Sequence, residues 1–182
     1  MQRARAGSPE AFETLVRRHQ AVAYRVARRL VGPDDADDVT QDAFLRAFHR
    51  LGHYRGDGSF RAWVLQIVRN TALNALEARR TEPYEAIEEL VEAEPAGSAR
   101  TPVDQLEGRE RRERLEAKVR LLPPAHRTVL VLRDIEGFSY EEVAAVTETP
   151  LGSVKGRLHR ARSELIRILR ENTYDWGLPH EL

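Results

Sequence analysis

The sequence predicts an all-α fold of two small helical domains joined by an acidic linker, the second domain holding a helix-turn-helix. Apolar residues recur at three- and four-residue spacing through most of the chain, the period of a one-sided helix. No segment sustains the apolar and polar alternation of a half-buried strand. An acidic stretch punctuated by Pro83, Pro95, Gly97, Ser98 and Pro102 divides the periodic segments into two groups, as interdomain linkers do. The expected units are residues 1–80, a linker at 81–104, a second domain at 105–171 and a tail at 172–182.

The first helix begins at Ser8 and Pro9, an N-cap followed by the residue best suited to the first helical position. Phe12, Leu15, Val16, Val22, Ala23, Val26, Ala27 and Leu30 form its apolar stripe, Gly32 and Pro33 stop it, and Arg17, Arg18, Arg25, Arg28 and Arg29 lie outward. A second helix follows in PDDADDVTQDAFLRAFHRL, with acids where the helix dipole favours them and Val39, Ala43, Ala47 and Leu51 on one face. After a polar connection from Gly52 to Gly58, Ser59 caps a third helix packed through Phe60, Trp63, Val64, Ile67, Val68, Thr71, Ala72 and Ala75 and ending near Arg79 and Arg80. Tyr84 to Val91 could add a brief helix within the linker. Beyond it, helices are expected at about 104–122, stopped by Pro123 and Pro124, and from Ala125 to Ile135, closed by Gly137.

The last two helices carry most of the argument about function. Ser139 with Glu142 three residues on fits a capping box, so a short helix starts at Tyr140, packs with Val143, Ala144 and Val146, and falters at Glu148. Thr149 as N-cap and Pro150 at the first helical position then start a longer helix. A short helix, a tight break and a longer helix make a helix-turn-helix. At roughly 100° per residue, the longer helix buries Val154, Leu158, Ala161 and Leu165 and turns Lys155, Gly156, His159, Arg160, Ser163 and Arg167 outward. Glu164 is its only acid between Leu151 and Arg170, against Lys155, Arg157, Arg160, Arg162, Arg167 and Arg170. A merely solvated helix face mixes charge signs; a one-sign face suits phosphates and base edges.

Charge must be read by segment, because the 182 residues balance 29 basic against 29 acidic side chains. Residues 1–80 hold 14 Arg and 9 acids, residues 81–104 one Arg and 7 acids, and residues 105–182 fourteen bases and 13 acids, so the neutral total hides an acidic middle. The absence of cysteine excludes disulfides, thiol catalysis and cysteine-based zinc sites. MQRARAGSPE leads into a charged helix, without the apolar run of a signal peptide, and no stretch is long enough to span a membrane, so a soluble cytoplasmic protein is expected.

Catalytic and metal chemistry find no foothold. The acids Asp34, Asp35, Asp37, Asp38 and Asp42 fail the calcium-loop pattern, since Val39 and Leu45 stand where glycine and glutamate are needed. His49 and His53 are four apart, but Gly52 ends the helix between them. No glycine-rich phosphate loop, GxSxG or HExxH occurs, so no enzyme, metal, cofactor or small-molecule substrate is expected. Tyr54, Phe60, Trp63 and Asn70 gather aromatic and polar groups around a short loop beside basic surface, where rings could stack on unpaired bases. Phe60 and Trp63 lie on the packing stripe; Tyr54 and Asn70 do not.

The runs DADDVTQDAFLRAFHRL, YRGDGSFRAWVLQIVRNTALN and LPPAHRTVLVLRDIEGFSYEEVAAVTETPLGSVKGRLHRARSEL, in that order, closely resemble bacterial RNA polymerase sigma factors of the extracytoplasmic-function (ECF) group, from about Glu10 to Arg170. The resemblance implies a chain that binds core RNA polymerase, directs it to promoter DNA and helps open the duplex. It implies polymerase docking through Asp38, Gln41, Asp42 and Phe44. It matches the loop from His53 to Ser59, with Tyr54, Arg55, Gly56, Asp57 and Ser59, to the minus-10 specificity loop, which captures a flipped base, and places Asn70 near that element. Extruding a base costs least where the duplex is already opening, and Tyr54 is the candidate for stacking.

The same resemblance makes the last helix the minus-35 reader. Lys155 and Arg160 suit guanine acceptors, Ser153, Arg157 and Arg162 suit flanking phosphates, and Gly156 and His159 keep open base assignments. The family's linker enters the polymerase channel that later holds RNA, and the acidic linker here could do so or merely solubilise. An anti-sigma factor, often membrane-linked, is the further expected partner. The competing readings are a helix-turn-helix regulator that acts without polymerase and a protein-binding adaptor. The adaptor leaves the basic face unexplained.

Overall fold

The computed structural model describes residues 2–54, 56, 58–81, 102–171 and 176, with backbone alone at 2, 81 and 102–107. Its α-helices are α1 (Gln2–Arg5), α2 (Pro9–Val31), α3 (Pro33–Arg50), α4 (Phe60–Thr81), α5 (Pro102–Arg120), α6 (Pro124–Leu130), α7 (Tyr140–Thr147) and α8 (Leu151–Arg170). A 3-10 turn at Leu51–His53 follows α3 and a π turn at Val131–Ile135 follows α6. No strand occurs among the described residues. The linker, including the brief helix expected at Tyr84 to Val91, and nearly all of the tail lie outside the described residues.

In the N-terminal bundle α2, α3 and α4 pack pairwise. Ser8 caps α2 by accepting from the Ala11 N–H at 3.3 Å. The joint between α2 and α3 is Gly32 alone, whose φ of 101° is open to glycine and strained for other residues, and Pro33 then presets the first turn of α3. The helices approach closely because Ala23, Ala27, Ala43, Ala47 and Ala72 are fully buried between them. Val26, Leu30, Val64, Leu65 and Val68 fill the remaining space, each fully buried side chain contributing about 1.5–3 kcal/mol. Arg79 meets Asp35 at 2.5 Å and ties the end of α4 to the start of α3. The short α1 has no signal in the hydrophobic pattern; Gly7, at φ 89°, turns the chain so that Ala4 is buried.

Two C-terminal details differ from the sequence expectation. The helix expected from Ala125 to Ile135 is α-helical only to Leu130 and then widens into the π turn, where the Glu136 N–H reaches the Val131 carbonyl at 2.9 Å. Thr149 does not cap α8. Its hydroxyl pairs with that of Thr147 at 2.7 Å, Pro150 holds the cap position, and its carbonyl accepts from Ser153 and Val154. The capping box of α7 is complete, Ser139 accepting from Glu142 N–H at 3.1 Å and the Glu142 carboxylate from Ser139 N–H at 2.8 Å.

Glu148 ends α7 at φ 51°, the one described non-glycine residue in left-handed backbone. Such a conformation is steric strain for a residue with a Cβ. Glu148→Gly is therefore expected to stabilise the fold by about 0.5–1 kcal/mol, since relief of strain outweighs the added freedom of the unfolded chain. Urea denaturation midpoints check it.

The two helical groups pack against each other. Buried side chains from both belong to one contiguous core, and α7 lies directly on α4. Arg127 of α6 reaches across to the Leu30 carbonyl at the end of α2.

Candidate nucleic-acid and polymerase interfaces

On α8 the apolar stripe is anchored by Val154, Leu158 and Ala161, all essentially inaccessible. That anchoring turns Ser153, Lys155, His159 and Arg160 to solvent, with Gly156 and Arg157 half-buried. Among the described residues no carboxylate forms an ion pair with Lys155 or Arg160. Arg160 instead folds back, its Nε donating to the Gly156 carbonyl at 3.2 Å. A Cβ on Gly156 would sit 3.7 Å from that guanidinium, ordinary contact, so a small side chain is sterically tolerated here. Lys155 lies 5.6 Å from the Tyr140 ring, which Arg133 also covers at 4.6 Å.

Arg162, expected to reach a flanking phosphate, is paired within the chain. Its guanidinium is bidentate to Asp134, at 2.8 and 2.7 Å, and this pairing holds its pKa above the usual arginine value. In this arrangement it braces α8 against the π turn. His126 and Glu164 meet at 2.9 Å and tie the start of α6 to the back of the same helix.

The loop between α3 and α4 is held from inside. Tyr54, the candidate for stacking on a base, is only 8 % exposed; its hydroxyl donates to the Gly58 carbonyl at 2.6 Å. Its ring packs 5.9 Å from Phe60, edge-on, and 5.1 Å from Trp63. The reason is local: the hydroxyl reaches the carbonyl four residues on, and this bond with the ring packing anchors Tyr54 inside the connection. Ser59 caps α4 by accepting from the Ala62 N–H at 3.1 Å. Gly56 adopts φ 86° and is exposed. Arg55 and Asp57 lie outside the described residues. Asn70 is half-buried on α4 and accepts from Arg69 at 2.9 Å.

His19 of α2 packs 5.4 Å from Phe60 beneath this loop. Burial holds its pKa below the ordinary histidine value, and the charges of Arg18 and Arg61 push the same way. The folded state therefore takes up fewer protons than the unfolded chain as pH drops through about 6.5. Stability is expected to be full above that pH and to decline below it, and His19→Gln should flatten that part of a plot of denaturation midpoint against pH.

The residues expected to dock on polymerase sit together on α3. Asp38 and Gln41 are exposed, Asp42 pairs with Arg46 at 2.9 Å, and Phe44 is 8 % exposed, a core residue. Sequence reasoning missed their apolar neighbours: Leu45 is 61 % and Phe48 41 % exposed. Gln41, Leu45 and Phe48 follow the four- and three-residue spacing of one helix face, a signal present in the sequence but masked by the stronger stripe through Val39, Ala43 and Ala47. With Phe12, Val16 and Tyr24 of α2 they line an open groove of about 820 Å³. Among the described residues no three His, Cys, Asp or Glu side chains are grouped to hold a metal ion. No described helix is long and apolar enough to cross a membrane.

Comparison with known proteins accounts for both halves. Residues 15–82 match the model of Sigma-70 region 2 and residues 112–165 that of Sigma-70, region 4. The chain is 34% identical over 171 residues to the ECF RNA polymerase sigma-E factor of Escherichia coli, covering 91% of this chain and 90% of that one. It is 34% identical over 177 residues to the RNA polymerase sigma-H factor of Pseudomonas aeruginosa, covering 93% and 92%. Among solved structures, CnrH in complex with the cytosolic domain of CnrY superposes with a TM-score of 0.69 at 29% identity, covering 94% of this chain and 96% of that one. The sigma factor RpoE from Bartonella quintana, in complex with the anti-sigma factor NepR, shares the fold with a TM-score of 0.68 at 22% identity, covering 88% and 98%. The chain belongs to the sigma-70 family and is an ECF sigma factor, a transcription initiation factor that binds RNA polymerase and promoter DNA.

Proposed function

We propose that this sigma factor reads its promoter in two parts. The exposed face of α8 takes duplex minus-35 DNA, Lys155 and Arg160 reaching base edges and Ser153, Arg157 and, once released from Asp134, Arg162 reaching phosphates. The loop at 53–59, with Gly56 open to close approach and Asn70 behind it, takes the opened minus-10 strand. Tyr54 fixes the loop's shape from within. Asp38, Gln41 and Asp42 dock on core polymerase, and the apolar strip of Leu45 and Phe48 extends that surface. The observation that carries the reading is the joint exposure of Lys155 and Arg160 on α8, set in a chain that matches both sigma regions in order.

The chain itself performs no catalysis in this reading, works in the cytoplasm and is held in reserve by an anti-sigma factor, as the complexed structures of its relatives support. Whether the acidic linker enters the RNA channel concerns residues outside those described. Permanganate probing of thymines tests strand opening: core polymerase with this chain should make thymines near minus 10 reactive, and either component alone should not. Reactivity with the chain alone, or none with both, contradicts the proposal. Leu45→Glu should weaken core binding about tenfold or more, read by fluorescence anisotropy. Its stability should change by no more than about 0.5 kcal/mol, because so exposed a leucine loses little packing.

A further inference from the structure

We propose that Tyr140 is a positioning residue for promoter reading: its ring holds Lys155 out from α8, so that the ammonium meets one base pair of the minus-35 duplex from a preset direction. The proposal rests on the reading of α8 given above. Lys155 is exposed, and a free lysine stem samples many rotamers, most of which point its charge away from any one base edge. Here the ammonium lies 5.6 Å from the centre of the Tyr140 ring, within the range at which a ring face attracts a cation. The contact joins the two helices of the helix-turn-helix.

The ring is itself held in place. Tyr140 is half-buried and packs against the edge of the core. As the first residue of α7 it lies between Ser139 and Glu142, whose reciprocal bonds at 3.1 and 2.8 Å fix the backbone entering the helix. Arg133 covers the ring at 4.6 Å and is tied down by donating to the Phe138 carbonyl at 2.7 Å. Arg133 belongs to the π turn, whose next residue, Asp134, holds Arg162 of α8. A widening of this kind often accompanies a functional site.

Charge around the ring leaves the lysine available to DNA. Arg133 has the nearer place, and its like charge keeps the ammonium from settling closer. The neighbouring carboxyl of Glu141 is held below the usual range by its own backbone amide and by the Ser139 hydroxyl, with Lys155 and Arg133 adding smaller pulls. A lysine pinned by a carboxylate would have to exchange one partner for another on binding. A lysine resting at a ring keeps its three N–H donors for guanine acceptors while its stem stays in place. The ring contact therefore persists in the complex and adds about two- to fivefold to affinity.

The test titrates holoenzyme, assembled from core polymerase and the full-length chain, with a promoter duplex from a mapped transcript start. Companion duplexes change its minus-35 block one base pair at a time. Lys155→Ala should lower affinity and reduce discrimination at one base pair. Tyr140→Leu should weaken binding about two- to fivefold, lose discrimination at that same base pair alone, and cause no further loss when combined with Lys155→Ala. Tyr140→Phe, which restores the ring face, should recover the affinity. Progressively fluorinated phenylalanines in place of Tyr140 keep the shape while draining the ring face of negative charge. Affinity should fall with each added fluorine, a result that stands even where leucine unsettles the fold.

An affinity unchanged or raised in folded Tyr140→Leu overturns the proposal, as does a flat response to fluorination. Additive losses in the double variant also overturn it, since Tyr140 would then act apart from Lys155. So does a loss in Tyr140→Phe as large as in Tyr140→Leu, which would assign the effect to the hydroxyl. Lys155→Ala with discrimination intact at every base pair overturns the base-reading role of Lys155 itself, an outcome distinct from a lysine effect that Tyr140 does not share.

Discussion

Replacing Arg127 with methionine is expected to destabilise the folded chain by about 3 kcal/mol, the largest effect of any single substitution considered for this sigma factor. Arg127 is 7% exposed and pairs with no carboxylate among the described residues. Its guanidinium donates instead to three carbonyls: Leu30 at the end of α2, Arg120 at the end of α5, and Leu122 at 3.1 Å in the turn beyond. Helix C-termini leave their last carbonyls unpaired and carry partial negative charge, so one planar cation can satisfy three orphaned acceptors at once. Burial lowers the pKa of the group, but an arginine in this range stays charged.

Methionine matches much of the volume and supplies no donor, so the carbonyls lose their partners in a place water does not readily reach. Lysine should rescue only in part, because its point charge lacks the fork that spans three acceptors. Urea unfolding measures this: a lower midpoint at unchanged slope is the expected result, with a drop in Tm of roughly 6–12 °C for a chain of this size. A midpoint within 0.5 kcal/mol of wild type would contradict the assignment.

The second large effect is functional. Lys155→Ala with Arg160→Ala should weaken binding to promoter duplex by about 5- to 150-fold per lost base contact, at about 1–3 kcal/mol each, while leaving core polymerase binding intact. Asp38→Ala with Gln41→Ala should do the reverse. Both pairs are exposed, so neither should move the unfolding midpoint by more than about 0.5 kcal/mol. Electrophoretic shifts with promoter duplex and anisotropy with labelled core polymerase separate the two activities. Equal loss of both activities in either mutant would contradict the division of labour.

Most of the helical architecture was legible in the sequence, because apolar periodicity and caps are local signals. The capping box at Ser139 and Glu142, the Gly32 and Pro33 joint and the stripe of α8 could all be read from spacing. Three features could not. The π turn at Val131–Ile135 follows from how α6 meets its neighbours, and an i to i+5 bond leaves no periodic mark. The burial of Tyr54 depends on where Phe60 and Trp63 come to rest, which is tertiary. The commitment of Arg25 and Arg29 to Glu136, across more than a hundred residues, is invisible to any argument from spacing. At the candidate site, residue types were readable on α8, whereas the pairing of Arg162 with Asp134 and the exposure of Leu45 and Phe48 emerged only with the fold.

The central claim is two-part promoter reading with core polymerase, and mapping transcript starts tests it most directly. Purified core polymerase would transcribe the source organism's genomic DNA in vitro with this chain, with its Lys155→Ala, Arg160→Ala variant, or alone. The account predicts chain-dependent starts that share one sequence block near minus 10 and another near minus 35, the variant losing those that depend on the upstream block. Starts that appear equally without the chain, or chain-dependent starts with no common upstream block, would contradict it.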